Sequence, residues 1–218
     1  IGGDHVWHTT TIASSIDPTW SSLALDSSGA PHITYYDSND HELKYVSPTV
    51  PQTLVVDDSV GAGVYSVLWF DSNDVPYILY WDPTKGELKL ASFNGVVETV
   101  QVLTINTPVT PTSIALALDS NDLPHITYRN PTADSLNYLA TDGTSWTRQV
   151  IDGEGGIGAF SAITLDAGDN VTVAYQRGSG QTIYLANLAD DSTAPTISGA
   201  PQGSANANGW YNQSVTIH

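Results

Sequence analysis

A thirteen-residue segment is written four times along this 218-residue chain, and a chain built that way folds as a row of similar units. Leu25–Asp37 reads LDSSGAPHITYYD, Phe70–Asp82 reads FDSNDVPYILYWD, Leu118–Asn130 reads LDSNDLPHITYRN, and Leu165–Arg177 reads LDAGDNVTVAYQR. The marker aspartates Asp26, Asp71, Asp119 and Asp166 stand 45, 48 and 47 residues apart. Periods of this length belong to propellers and related arrays.

Each copy reads as short strands separated by turns, without a helical period longer than a turn or two. In the first copy, Ser22–Asp26, Pro31–Asp37, Leu43–Ser47 and Gln52–Asp57 read as four strands. Gly29, Asp74, Asp122 and Asp169 share the turn position before the second strand, where residues that accept unusual backbone angles are needed. Pro31, Pro76 and Pro124 open that strand, where a missing N–H does little harm. Within it Ile33, Ile78, Ile126 and Val173 share a face with Tyr35, Tyr80, Tyr128 and Tyr175, the face expected to pack on a neighbouring unit.

Four antiparallel strands per period make one propeller blade, so the expected fold is all-β, a β-propeller with blades at about 21–57, 66–105, 113–152 and 161–188. Trp7–Ile12 matches the fourth-strand segment Trp146–Ile151, and the last copy has only three strands, ending with Thr182–Leu188. The sequence therefore predicts four blades in residues 1–189, the last completed by residues 5–13, with a fragment of a larger propeller as the alternative. Residues 190–218 read as a linker and the truncated start of an immunoglobulin-like module, since a complete sandwich takes roughly 100 residues.

The string Leu-Asp-Ser-x-Gly-x-Pro-His-Ile-x-Tyr-Tyr-Asp, followed by Leu-Lys-Tyr, resembles a repeat of extracellular bacterial and archaeal proteins in the sialidase-like and lectin-like propeller group. The resemblance implies a secreted or cell-surface location and covalently linked neighbouring domains. It leaves activity open, because this architecture carries hydrolases, lectins and scaffolds alike. The sialidase Asp-box is only approached by Thr141–Trp146, where Asp142 and Gly143 are adjacent and the spacing to Trp146 is one short; a plain hairpin turn is the reading.

Composition narrows the partners. Six Lys and Arg against 23 Asp and Glu leave a net charge of −17, which excludes nucleic acid and an anionic membrane surface as partners. Nineteen of those acids are aspartate, many in Asp-Ser, Asp-Asn and Asp-Gly pairs, so much of the charge is turn chemistry. There is no cysteine for a disulfide or thiolate site, and no apolar run long enough to insert in a membrane. With no methionine and no leader, the chain reads as a piece of something longer.

Candidate ligand residues come from positions that differ between copies while their neighbours repeat. Tyr36, Trp81, Arg129 and Gln176 occupy one such position, and Asp37, Asp82, Asn130 and Arg177 the next, all at the rim where the second strand turns into the third. Aromatic faces, carboxylates and guanidinium groups together suit a glycan or an extracellular protein. A non-catalytic binding or scaffold module is the leading expectation. A glycosidase would need two rim carboxylates about 5–10 Å apart, for which Asp37, Asp82 and Glu42 are the candidates, and a spacer without ligand is the third reading.

No cofactor is called for. Calcium is the alternative, with Asp37, Asn39 and Glu42 as the best oxygen cluster, although no stretch has the ligand spacing of an EF-hand loop. His32 and His125, equivalent in two copies, read as hydrogen-bonded strand residues. Trp69 replaces a small residue on the first strand and reads as a core plug, with a stacking platform as the alternative. Gly153–Gly158 fits Gly-x-Gly-x-x-Gly, but a strand follows where a dinucleotide site requires a helix.

Overall fold

In the computed structural model the described residues are 6–14, 16–47, 50–93, 97–103, 113–178 and 182–188. Contacts divide the chain between Leu188 and Ala189, so the predicted immunoglobulin-like segment forms the second unit and lies outside the described residues. The first unit is all-β. Sheet 1 holds β1 (Pro18–Leu25), β2 (Pro31–Asp37), β3 (Glu42–Ser47) and β4 (Val50–Asp57). Sheet 2 holds β5 (Val64–Phe70), β6 (Pro76–Asp82), β7 (Glu87–Phe93) and β8 (Val97–Leu103). Sheet 3 holds β9 (Ile114–Leu118), β10 (Pro124–Asn130), β11 (Ser135–Thr141) and β12 (Trp146–Asp152). Sheet 4 holds β13 (Ile157–Leu165), β14 (Val171–Arg177) and β15 (Thr182–Leu188). Every pairing is antiparallel between consecutive strands.

The two acidic positions of the repeat do different jobs. The marker aspartate folds its own turn: Asp71 Oδ1 accepts from Asn73 N and Val75 N, each at 2.8 Å, and Asp26, Asp119 and Asp166 accept from the corresponding amides. Three residues on, Asp74, Asp122 and Asp169 sit at φ 60°, 62° and 61°, the left-handed region that aspartate tolerates, with Gly29 at 83° in the first copy. Their carboxylates reach the preceding sheet. Ser27 donates to Asp74, Ser72 to Asp122 and Ser120 to Asp169, each through both its amide (2.7–2.9 Å) and its hydroxyl (2.6 Å). The turn chemistry read from the sequence is thus also an inter-sheet latch.

Between sheets lies the core. Ile78 and Tyr80 face sheet 1, packing with Leu43, Tyr45 and Phe93, while Leu79, Trp81, Leu88 and Leu90 face sheet 3 and pack with Ile126 and Tyr128. Leu136 and Tyr138 meet Val171, Val173 and Tyr175 of sheet 4. So in sheets 2 to 4 the Ile–Tyr or Val–Tyr face packs on the preceding sheet, as its uniformity predicts. At Gly63, with φ 108°, an added Cβ would stand 2.6 Å from Leu43 Cβ, which makes glycine obligatory where sheets 1 and 2 touch.

The expected ring closure is not what the structure shows. Residues 6–14 carry no strand, Trp7 is exposed, and among the described residues sheet 4 has the order β13-β14-β15 without a fourth member. The first strands pack in the series β1, β5, β9, β13, and β13 makes no comparable contact with β1. The physical reason lies in the segment itself: its resemblance to β12 is local, whereas pairing with β15 requires bringing the chain ends together across the whole array.

Candidate functional site

The rim where strand two turns into strand three is half structural machinery. Asp37 and Asp82 are buried, each capping its hairpin: Asp37 Oδ1 accepts from Asn39 N at 3.1 Å, and Asp82 Oδ1 from Thr84 N at 3.0 Å and Lys85 N at 3.1 Å. Their other oxygens take lysines across the hairpin, Lys44 Nζ at 2.9 Å and Lys89 Nζ at 2.7 Å. Lys89 also meets Asp57 Oδ2 at 2.9 Å, where the Tyr80 hydroxyl donates at 2.7 Å. Burial alone would lower the Lys89 ammonium and raise the Asp57 carboxyl, but the hydrogen bonds prevail, so the lysine is raised and the aspartate lowered. Lys44 and Asp37 follow the same pattern.

Four of the eight predicted rim residues are therefore not open to a ligand: Asp37, Trp81, Asp82 and Asn130 are buried. Asn130 caps its hairpin as the aspartates do, accepting from Thr132 N and Ala133 N at 3.0 Å. The expectation of exposure fails because a hairpin entry needs an acceptor for its own amides, and an acceptor buried as a charge needs a cation beside it. Arg129 braces sheet 3 to sheet 4, donating from Nε to Ile157 O at 2.7 Å and from Nη2 to Asp134 Oδ1 at 3.1 Å. Arg177 pairs with Glu154 and Asp152 and lies 5.6 Å from the Tyr184 ring. Tyr36, Gln176 and Arg177 remain partly exposed.

Metal chemistry finds little purchase here. Among the described residues no group of three or more His, Asp or Glu converges to hold an ion, and the Asp37 oxygens are occupied by Lys44 and backbone amides. His32 lies between the Tyr45 hydroxyl and Asp26 Oδ2, at 3.1 Å from the latter, and His125 lies between Tyr138 and Asp119. Both are strand residues tied to their own sheet, as expected. Trp69 is half exposed, which does not suit a plug.

What the sequence reading passed over is the residue six before each marker aspartate: Trp20, Tyr65, Ser113 and Phe160. In sheets 1, 2 and 4 it falls in a bulge, where the register shifts between Thr19 and Ser21, Val64 and Val67, and Ile157 and Ser161. Trp20 has φ 51° and Tyr65 φ 60°, a conformation that costs a bulky aromatic roughly 1–2 kcal/mol. Strained bulges of this kind gather where a side chain is being aimed. The two rings lie 4.5 Å apart, tilted by 50°, and the indole of Trp20 is half exposed at the same rim end as Tyr36, whose Cα is paired with Thr19. Three aromatics in four copies at one offset from the marker was the available signal.

Comparison with solved structures follows from this geometry. A catalytically inactive virginiamycin B lyase from Staphylococcus aureus matches with TM-score 0.50 at 12% identity, over 86% of this chain and 59% of that one. A triple mutant of AofleA from Arthrobotrys oligospora matches with TM-score 0.52 at 12% identity, over 78% and 53%. An exo-β-1,3-galactanase from Phanerochaete chrysosporium, solved with galactose, gives 0.51 at 12%, over 83% and 48%. The fold is propeller-like. This chain spans roughly half to three-fifths of the length of those propellers. No protein-family model matches the sequence, and no curated protein does.

Proposed function

We propose that this propeller-like chain is a non-catalytic, carbohydrate-binding module of a larger secreted or cell-surface protein, related to the sialidase-like and lectin-like propellers and carrying its ligand on the rim at Trp20 and Tyr65. The observation that carries the reading is that pair of aromatics held at equivalent, strained bulges with one indole face toward solvent. Sugars present C–H faces that stack on such rings, and the neighbouring Tyr36 hydroxyl, with Arg177 farther along the rim, supplies polar partners. The net charge of −17 speaks for a neutral ligand over an anionic one.

A glycosidase reading has less support. Its acid and base would come from Asp37, Asp82 and Glu42; the first two carboxylates are buried against lysines and spend their lone pairs on hairpin amides, and Glu42 lies 3.6 Å from the Lys44 ammonium. A general acid needs a proton to give, and the hydrogen bonds from Lys44 and the hairpin amides hold the Asp37 carboxyl below its ordinary value.

A glycan array probed with the 218-residue chain, followed by calorimetric titration of the best oligosaccharide, tests the proposal. Retention without release of reducing ends is expected, with Trp20→Ala weakening binding at least tenfold while the unfolding midpoint moves little, and Tyr65→Ala, whose ring also packs on the core, weakening binding and lowering the midpoint together. A blank array would leave the spacer reading in its place, and steady release of reducing sugar would restore the hydrolase.

A further inference from the structure

The two ends of the sheet array present the two halves of an interface that the chain builds three times internally. Leu43, Leu88, Leu136 and Ile183 occupy one position of the repeat, on the face turned toward the following sheet. They are 0%, 0%, 1% and 80% exposed. Tyr45, Leu90, Tyr138 and Leu185, at the next position on that face, are 3%, 6%, 5% and 70% exposed. Sheet 4 thus carries the apolar residues of a packed face with nothing on it, and Phe160, Ala162, Ala174, Gln176 and Ile183 line a shallow groove there.

The opposite face shows the same thing along β1 at the other end, while Tyr35 and Val46 farther out on that face are 4% and 5% exposed. Leu68 and Leu116 are each 3% exposed against the sheet before them, while their equivalent Leu23 is 64% exposed, and Leu25 beside it is 59%. The position is leucine in three copies and isoleucine, Ile163, in the fourth. Only the cover differs.

The inter-sheet latch says what kind of cover to expect. Its donor is Ser27, Ser72 and Ser120 in sheets 1 to 3 but Ala167 in sheet 4; its acceptor is Asp74, Asp122 and Asp169 in sheets 2 to 4 but Gly29 in sheet 1. Donor and acceptor are lost at the two ends together. A further sheet of the ordinary repeat on either end would bring a serine or an aspartate with no partner. Sheet 4 meeting sheet 1 leaves neither, because Ala167 then stands opposite Gly29.

That meeting does not occur within one copy: β13 packs on β9 and has no comparable contact with β1. The four sheets match a little over half of propellers whose chains are longer, so their curvature is that of a wider ring than four sheets complete. We propose that the open faces are filled by a second copy of this chain, sheet 4 of each packing on sheet 1 of the other across two identical seams related by a two-fold axis. Each seam is apolar and lacks the latch.

Sedimentation velocity of the 218-residue chain in 0.5 M NaCl tests this, the salt screening a charge of −17 on each copy. The expected species is about twice the 23.2 kDa of a single chain. Leu185→Asp and Leu23→Asp, both at positions exposed in one copy, should each return it to the single-chain mass with the far-ultraviolet spectrum unchanged. Restoring the latch with Gly29→Asp and Ala167→Ser should tighten association by tenfold or more, and nothing lies within 4 Å of the position a Cβ would take at Gly29. A single-chain mass up to 0.2 mM overturns the proposal. So does a latch-restored variant whose unfolding midpoint rises independently of concentration at single-chain mass, since the seam would then close within one copy.

Discussion

At the scale of single residues, the hairpin between the second and third strands shows how one problem is solved three ways. Asp37 faces Lys44, Asp82 faces Lys89, Asn130 and Asn137 hold the same two positions in the third copy, and Arg177 lies over Tyr184. The two positions change together because a carboxylate in the interior needs a cation, a carboxamide needs none, and a guanidinium finds an aromatic face. Lys89→Met would leave Asp57 and Asp82 buried with no cation between them, and should cost about 3–5 kcal/mol of stability, read from urea unfolding. The double variant Asp82→Asn with Lys89→Asn should cost clearly less than that single change, because asparagine keeps the acceptor for Thr84 N and Lys85 N. Had the paired variation been followed in the sequence, Asp37 and Asp82 would have read as structural. Treated one position at a time, they looked like a specialised rim.

Strands and turns were the most legible elements. Pro31–Asp37 and Thr182–Leu188 have the bounds expected for them, and the turn residues Asp74, Asp122 and Asp169 take the positive φ that their type suggests. Alternation and turn chemistry act over a few residues, so they are written locally. Thr141–Trp146 is likewise a hairpin turn, with Asp142 Oδ1 accepting from Thr144 N and Ser145 N at 2.8 Å. The bulges at Trp20 and Tyr65 were not legible, because a bulge depends on how the partner strand runs beside it. Contacts between sheets give the sharpest element-scale expectation. Gly63→Ala places a Cβ against the fully buried Leu43 at a φ that alanine avoids, and should lower stability by about 2–4 kcal/mol, seen as a fall in the thermal midpoint.

For the molecule as a whole, the turn aspartates set the response to acid. Hydrogen bonds from the Ser28 side chain, the Ala30 amide and His32 hold Asp26 down to about 2, from an ordinary value of 3.8, and Asp142, Asp166 and Asp169 are lowered by similar bonds. A carboxyl lowered in the folded state contributes stability that is complete above its unfolded value and fades as pH falls toward the folded one. The urea midpoint should therefore hold from pH 7 to about pH 4.5 and drop steeply between pH 4 and pH 2. At the alkaline side burial raises Tyr45 and Tyr138 to about 12, so stability should fall as pH climbs from 10 toward 12. By itself the sequence determined the number of units, their strands, their turns and which strand face is buried, because period, alternation and turn residues act within a few positions of one another. Only the tertiary structure decided which rim carboxylates are spent on lysines, which aromatics stand at the bulges, and that apolar residues such as Leu23 and Leu185 stand uncovered at the two ends of the array. Those outcomes depend on pairs of residues dozens of positions apart, whose burial is set by the sheet that packs next to them.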